Sequence, residues 1–335
     1  MGIDLPLMWA IIIAFGLMMY VIMDGFDLGV GILFPFIKDR EERDVMVNSV
    51  APVWDGNETW LVLGGAALFA AFPLAYATLL SALYIPLILM LVGLIWRGVA
   101  FEFRFKADEH HRAFWDRAFC VGSYCATFFQ GIALGAFING FQMQGTEFVG
   151  TSMDWLTPFS IFTGFGLLIA YALLGSTWLI MKTEGSLQNH MIRLTKPITI
   201  LLGIIIIIVS IWTPLAYEFI KIRWFSLPHL LYFSPVPILT VLTVLLLLWR
   251  LNKKPHAGPF ICALFILFMG YTGLAISMWP NIIPPSISIW AAAGPDQALG
   301  FALVGALFII PFILIYSAWA YFVFKGKVKH GEGYH

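Results

Sequence analysis

Charged residues are scarce in this 335-residue chain. Asp, Glu, Lys and Arg make up 11% of it, and 60% of the residues are apolar; soluble domains carry about 25% charged residues. Three long stretches have no charge at all, between Trp224 and Trp249, between Pro255 and Pro295 and between Gln297 and Phe324. A membrane helix needs about 20 such residues. Since the alternation of a β-barrel is missing, the sequence predicts an all-α polytopic membrane protein.

Several kinds of functional site are also missing. The three cysteines, Cys120, Cys125 and Cys262, form no CxxC pair and are expected to pack as small hydrophobic side chains. The net charge is zero and no basic patch alternates with aromatic residues, which argues against a nucleic-acid partner. No Walker A, HExxH or GxSxG motif is present, so nucleotide and hydrolytic chemistry are not expected. The N-terminus lacks the basic residues of a cleavable signal peptide.

Histidine is absent from the predicted membrane interior. All seven histidines fall in loops, at span edges or in the tail: His110, His111, His190, His229, His256, His330 and His335. A haem-bearing membrane subunit needs His or Met ligands inside its spans, and the thirteen methionines are more typical of packing. The chain is therefore expected to hold no metal, and no haem through ligands of its own.

The apolar segments predict nine membrane-spanning helices, at residues 7–36, 51–73, 77–103, 118–140, 157–181, 198–220, 234–250, 259–279 and 298–324. Two of them meet in a tight turn at Phe72-Pro73.

The sequence contains a faint internal similarity. In outline, "FDLGVGILFPFIKDREE" resembles "LLGSTWLIMKTEGSLQ", which would match Gly29 with Gly175. The single membrane domain, 1–335, is expected to contain a four-helix bundle in 1–140, a second in 157–279, a ninth helix at 298–324 and a tail at 325–335.

Lys and Arg predict the orientation of these spans, because they favour cytoplasmic loops. The odd-numbered connections and the tail hold sixteen of them, namely Lys38, Arg40, Arg43, Arg104, Lys106, Arg112, Arg117, Lys182, Arg193, Lys196, Arg250, Lys253, Lys254, Lys325, Lys327 and Lys329. The even-numbered connections hold two, Lys221 and Arg223. This difference predicts an N-terminus outside and a cytoplasmic C-terminus.

Seven charged side chains interrupt or border the apolar segments in the first third of the chain: Asp24, Asp27, Asp55, Glu58, Arg97, Glu102 and Arg104. A charge at mid-bilayer costs roughly 2.5–3.5 kcal/mol, so seven unpaired charges would cost on the order of 20 kcal/mol. That exceeds the net stability of most folds. The predicted orientation brings all seven to the cytoplasmic ends of the first three spans, where they must be paired, protonated or in contact with water.

The first interpretation of these charges is structural. Arg97 would pair with Asp24 or Asp27, and Arg104 with another acid, so that three helices are locked together. The two aspartates are three residues apart in one span and share a helix face.

The second interpretation is a proton conduit, and it is compatible with the first. Five acids cannot all be paired by two arginines, and a protonated or hydrated carboxyl suits proton transfer. The conduit would lead from the cytoplasm through Lys106 and Glu102, which share a face at i,i+4, to Asp55 near the first turn of the second span. Glu58 and Arg104 have no assigned role in it.

Four motifs carry a family resemblance. "DGFDLGVG" at 24–31, "NSVAPVWDGNETWLV" at 48–62, "GGAALFAAFP" at 64–73 and "RGVAFEFR" at 97–104 resemble subunit II of the cytochrome bd-type quinol oxidases, including the cyanide-insensitive branch. The match is dense over about the first 140 residues. Beyond them it is mainly one of length, span count and loop charge.

The resemblance implies a heterodimer in the bacterial cytoplasmic (inner) membrane. A haem-bearing subunit I would carry the quinol site, with haem b and haem d or b, while small accessory subunits and a structural quinone in subunit II occur in some members. The complex would oxidise quinol and reduce O2 to water with cytoplasmic protons, an electrogenic reaction. No catalytic residue is implied on this chain. The family's channel residues correspond to Asp55, Glu102 and Lys106, with Glu at 102 where the family often has Asp.

Two other functions remain open. A proton-coupled secondary transporter would suit the acids and the faint repeat, although the acids lie near the inner surface and not at the midplane. A purely structural scaffold for another membrane subunit is the third possibility.

Overall fold

The computed structural model describes residues 3–253 and 255–328. Lys254, Lys329, His330 and His335, which the sequence assigned to a loop and the tail, lie outside them. The helices are α1 (Leu5–Leu33), α2 (Arg40–Asn48), α3 (Trp54–Ala71), α4 (Pro73–Lys106), α5 (Glu109–Asn139), α6 (Pro158–Lys182), α7 (Gly185–Ala216), α8 (Glu218–Phe225), α9 (His229–Phe233), α10 (Pro235–Arg250), α11 (Gly258–Met278), α12 (Ile289–Ala292) and α13 (Asp296–Val323). A 3₁₀ turn, Phe34–Phe36, follows α1. Two antiparallel hairpins pair β1 (Met143–Gln144) with β2 (Glu147–Phe148) and β3 (Asn281–Ile283) with β4 (Ile287–Ser288).

The prediction of a helical membrane protein is confirmed. Among the described residues, eight helices are long and apolar enough to cross a membrane. A helix also occupies the remaining predicted span, 51–73, but α3 has 18 residues and begins with polar side chains. The expected count of nine therefore stays a prediction. The tight turn at Phe72-Pro73 is present, because α3 ends at Ala71 and α4 begins at Pro73.

Several segments predicted as connections are helical instead. α7 begins at Gly185, so Arg193 and Lys196 lie within a helix, and α5 begins at Glu109. α2 was not predicted, because its sequence REERDVMVN begins with five charged residues and has no long apolar run. Helix caps fix the starts of α2 and α5, where Asp39 accepts from the Glu42 amide at 2.9 Å and Asp108 from the His111 amide at 2.9 Å. The backbone and ring of His111 hold the pKa of the Asp108 carboxyl below its usual range.

Two central helices, α1 and α6, cross in direct backbone contact. Every residue from Met23 to Leu33 of α1 is buried, as is the last part of α6. A Cβ added to Gly29 would lie 1.9 Å from the carbonyl oxygen of Tyr171, and one added to Gly175 would lie 2.3 Å from the carbonyl carbon of Gly29. Only glycine at both positions allows this approach. The two glycines matched by the internal similarity therefore touch one another.

The remaining long helices surround this pair in a repeated pattern. α1 packs against α3 and α5, and α4 packs against α5. In the same way α6 packs against α7 and α11, and α10 packs against α11. α13 contacts α1 and α3. Large apolar side chains on the outer faces of α7, α10 and α13 are exposed, for example Phe301 and Phe308. Such surfaces suit lipid or another protein and not water.

The connections gather at two opposite ends. At one end, which we call the charged end, Arg40 contacts Glu109, Ser186 contacts Glu42, Lys196 contacts Asn252 and Lys182 contacts Phe324. At the other end, Gly294 contacts Ala71, Phe141 contacts Pro284, Tyr217 contacts Asn139 and Arg223 contacts Trp279. The contacts at the charged end join the odd-numbered predicted connections and the tail. The contacts at the other end join the even-numbered predicted connections.

Candidate functional site

Arg97 is the centre of a buried group of charges in the first half of the chain. Its guanidinium is fully buried, and its Nη2 lies 2.8 Å from Oδ1 of Asp24 and also contacts Glu58. These three residues belong to α4, α1 and α3, so one side chain joins three helices. With Asp27, which is also fully buried on α1, they form what we call the buried charge cluster.

The position of Arg97 follows from the close approach of α4 and α5. A Cβ added to Gly122 of α5 would lie 2.8 Å from the backbone nitrogen of Arg97, so glycine allows α4 to sit against its neighbour. The guanidinium carbon lies 5.9 Å from the ring centroids of both Trp54 and Phe101. Aromatic faces stabilise a cation in such a place, and they exclude water from one side of it.

Asp27 has neutral hydrogen-bonding partners and no cationic one. The Nδ2 of Asn57 donates to Oδ2 of Asp27 at 2.7 Å and to the carbonyl oxygen of Met23 at 3.2 Å. The hydroxyl of Tyr321, on α13, donates to Oδ1 of Asn57 at 2.8 Å. Within residues 3–253 and 255–328, Oδ1 of Asp27 has no hydrogen-bonding partner and no Lys or Arg lies at ion-pairing distance from this carboxyl.

The buried charge cluster therefore has more acid than base. Three carboxyls, from Asp24, Asp27 and Glu58, face one guanidinium, and that guanidinium contacts two of them. A buried carboxylate without a counter-charge is costly, because burial removes its hydration. Asp27 is the carboxyl of the three that the guanidinium does not contact.

Arg104 belongs to a different group, which we call the end-face ion network. Its Nη2 lies 2.8 Å from Asp44 and its Nε 2.7 Å from Asp116. Arg112 also pairs with Asp44, at 2.7 Å, and Arg43 pairs with Asp116, at 3.1 Å. This network attaches α2 to α4 and α5 at the charged end. Arg104 therefore pairs with acids outside the seven charges singled out in the sequence.

The residues of the predicted conduit lie outside both groups. Asp55 is in the first turn of α3, as the sequence predicted, but its side chain is exposed. Glu102 and Lys106 are exposed on α4 and lie 3.6 Å apart. No hydrogen bond or ion pair joins Asp55 to Glu102 in the described part of the chain. The ring of Trp54 on α3 stacks on that of Phe101 on α4, with centroids 5.0 Å apart. Asp55 follows Trp54 in the chain and Glu102 follows Phe101, so both acids lie beside this contact between the two helices.

The surface around these three groups is apolar. Trp96, Val99 and Phe103 of α4 are exposed large hydrophobic residues. Charged groups on an apolar helix face suit a protein interface or a water-lined path better than lipid. None of the described histidines, His110, His111, His190, His229 and His256, is buried. The described residues contain no group of three or more His, Cys, Asp or Glu side chains that could hold a metal ion.

Two residues of this site were not found from the sequence. Asn57 stands inside the quoted "WDGNETW" segment, and its polar side chain in an apolar helix was a usable signal. Tyr321 was not recognisable, because it is 264 residues from Asn57 in the chain and nothing local marks it.

Comparisons with known proteins agree on one family. A family model described as cytochrome bd terminal oxidase subunit II matches residues 5–324. The chain is 29% identical over 371 residues to the cytochrome bd-I ubiquinol oxidase subunit 2 of Escherichia coli K12, covering 97% of this chain and 95% of that protein. It is 29% identical over 338 residues to the cytochrome bd ubiquinol oxidase subunit 2 of Bacillus subtilis 168, covering 97% of each.

The fold has a solved counterpart. One chain of the bd oxidase from Geobacillus thermodenitrificans superposes with a TM-score of 0.73, over 94% of this chain and 98% of that one. The sequence identity is 18%, so this likeness concerns the fold.

Arg97→Ala is expected to reduce the stability of the protein by about 3–5 kcal/mol, because it leaves the fully buried Asp24 without its cation. It also removes the partner of the partly buried Glu58. The amount of folded protein recovered from membranes, and its thermal unfolding midpoint in detergent, measure this. Arg117→Ala, at an exposed arginine of α5, is the control and should behave as the wild type. Equal recovery and equal midpoints for the two variants would contradict the structural role of Arg97.

Proposed function

Because the chain belongs to the cytochrome bd terminal oxidase subunit II family, we propose that it works beside a haem-bearing subunit I in a quinol oxidase of the bacterial cytoplasmic membrane. The resemblance seen in the sequence is confirmed by the family match and by the curated relatives. The chain is thus one subunit of an oxidoreductase complex that contains haem, and it is a multi-pass membrane protein. The alternative function, a proton-coupled secondary transporter, loses its support because the chain belongs to a family of oxidase subunits.

The haems, haem b with haem d or b, are assigned to subunit I. The observation that supports this is the position of the described histidines, none of which is buried in the helical interior. Subunit II then has two tasks. It supplies helices against which subunit I assembles, and it supplies groups that bring cytoplasmic protons towards the oxygen-reduction site of the partner.

The proton path assigned to this chain runs through Lys106, Glu102 and Asp55. The observation that carries it is the position of these groups on exposed, adjacent ends of α3 and α4, surrounded by an apolar surface. When subunit I covers that surface, the three groups would line a polar path between the subunits. Lys106 and Glu102, 3.6 Å apart, collect the proton at the charged end, and Asp55 passes it on. Because these protons are taken up from the cytoplasm, quinol oxidation by the complex is electrogenic.

The buried charge cluster is assigned to assembly. Its ion pairs join α1, α3 and α4, which places the beginning of α3, and with it Asp55, against the inner end of α4.

The topology that fits this function has nine spans, with α3 as the second. α3 begins near the charged end and ends at Ala71, which accepts a hydrogen bond from Gly294 at the opposite end, so α3 connects the two ends as the longer helices do. The repeated packing around α1 and α6 supports two four-helix bundles followed by a ninth helix, α13. The charged end is the cytoplasmic one, because Lys and Arg concentrate there, and the N-terminus is outside.

Asp55→Asn is expected to leave the amount and haem content of the complex unchanged and to lower oxygen consumption by about tenfold, which corresponds to 1.4 kcal/mol of added barrier. The substitution keeps the size of the side chain and removes its ability to carry a proton. Glu147→Gln, at an exposed acid of the opposite end, is the matched control. Unchanged turnover in fully assembled Asp55→Asn complex would refute the conduit.

The topology is tested by thiol labelling of single introduced cysteines with a membrane-impermeant reagent. Lys325→Cys, in the exposed segment after α13, should react only in inverted vesicles. Thr146→Cys, in the exposed hairpin between α5 and α6, should react in intact cells. The reverse pattern, or two cysteines accessible from the same side, would overturn the nine-span topology.

A further inference from the structure

A group of cations at the charged end has no acidic counterpart. It consists of Arg193 and Lys196 in the first half of α7 and of Arg250 and Lys253 at and just after the end of α10, and we call it the basic patch. None of these four side chains forms a salt bridge with another described residue. From residue 185 to residue 295 the sequence contains a single acid, Glu218, and that residue begins α8, at the opposite end.

The first half of the chain treats its cations differently at the same end. In the end-face ion network, Arg43, Arg104 and Arg112 each lie within 3.1 Å of Asp44 or Asp116. The preference of Lys and Arg for one side of the membrane explains the sign of the charge at this end. It does not explain why the second half lacks acids, since the first half carries them among its arginines.

Packing brings the two parts of the basic patch together. Nζ of Lys196 donates to Oδ1 of Asn252 at 2.7 Å, which joins α7 to the chain after α10. Nζ of Lys253 lies 3.7 Å from the ring centroid of Trp249, and Arg250 is exposed beside this ring in the sequence. These partners are neutral, so the positive charge of the basic patch is gathered by the fold and left uncompensated.

Both helices continue from the basic patch as exposed aliphatic stripes. On α7, the exposed isoleucines that follow Lys196 at helical spacing are Ile200, Ile204, Ile207 and Ile211. On α10, the exposed leucines that precede Arg250 at helical spacing are Leu246, Leu242 and Leu239. α7 and α10 contact one another, and each belongs to a segment that is long and apolar enough to cross a membrane. The surface is therefore cationic at one end and aliphatic along its length.

We infer that the basic patch binds the headgroup of an anionic phospholipid whose acyl chains lie along α7 and α10. The phosphodiester supplies the negative charge that the protein lacks here, and Lys and Arg donate hydrogen bonds to its oxygens. The acyl chains cover the two aliphatic stripes. An acidic loop of a partner protein would supply only the charge and leave the stripes uncovered. The inference does not depend on the proposed proton path, because the basic patch lies in the other half of the chain from Asp55.

Photo-cross-linking of the complex in lipid nanodiscs tests the inference. The probe is phosphatidylglycerol with a photoactivatable group in one acyl chain, and peptide mass spectrometry maps the labelled positions. In the wild type we expect labelling on α7 and α10, and unlabelled phosphatidylglycerol should displace the probe about tenfold better than unlabelled phosphatidylethanolamine, whose ammonium offsets its phosphate. In a variant with both Lys196→Gln and Arg250→Gln, which keeps two long side chains that donate hydrogen bonds, this preference should disappear.

The matched control carries Lys38→Gln and Arg117→Gln, which remove two exposed cations from the charged end outside the basic patch, and it should keep the wild-type preference. Equal displacement by the two lipids in the wild type would overturn the inference, and so would the same preference in the two variants. Displacement of the probe by inorganic phosphate would show a site for a free anion and overturn the assignment to a lipid. Absence of label from α7 and α10 would show that something other than lipid, such as a partner protein, covers them. If the variant at Lys196 and Arg250 does not assemble, the displacement ratio of the wild type still decides between the outcomes.

Discussion

The contact of Arg97 with Asp24 and Glu58 is the interaction on which the first half of this protein depends. One guanidinium joins α1, α3 and α4 in an environment where an unpaired charge costs several kcal/mol. Its position requires α4 to lie close to α5 at Gly122, and α1 must lie close to α6 at Gly29 to keep Asp24 in the interior. The helix packing and the ion pairs therefore stabilise each other. The surface formed by the start of α3 and the end of α4, where Asp55 and Glu102 lie, follows from this arrangement.

The charged residues of the first half of the chain fall into three groups with different surroundings. The end-face ion network alternates acid and base, so Asp44 and Asp116 each have arginine partners. The buried charge cluster has an excess of carboxyls, and the surplus falls on Asp27. Asp55, Glu102 and Lys106 are exposed, on the surface that we propose is covered by subunit I. The proposed role in proton transfer needs carboxyls and not haem ligands, which is consistent with the absence of a buried histidine in residues 3–253 and 255–328.

Features of the fold and the site that depend on neighbouring residues could be predicted from the sequence, and contacts between residues far apart in the chain could not. The apolar runs predicted the long helices, the turn at Phe72-Pro73 and the place of Asp55 in the first turn of α3, since all of these are local. α5 and α7 begin before the predicted spans 118–140 and 198–220, because polar helical turns extend beyond the apolar stretch at the charged end. The sequence did not separate Glu58, which turns inward, from Asp55, which is exposed on the same helix. Nor did it reveal the hydrogen bond from Tyr321 to Asn57 or the partners of Arg104, because these contacts form only when distant helices pack together.

Arg97, Asp24 and Glu58 act as one electrostatic unit in this structure. A double-mutant cycle tests it most directly, comparing the effect of Arg97→Gln on the unfolding free energy of the purified complex in the wild-type background and in a background that carries Asp24→Asn and Glu58→Gln. We expect the loss to be smaller by about 2 kcal/mol or more once the acids are neutral, within the range found for residues in contact. Equal losses in the two backgrounds, within about 0.5 kcal/mol, would contradict it.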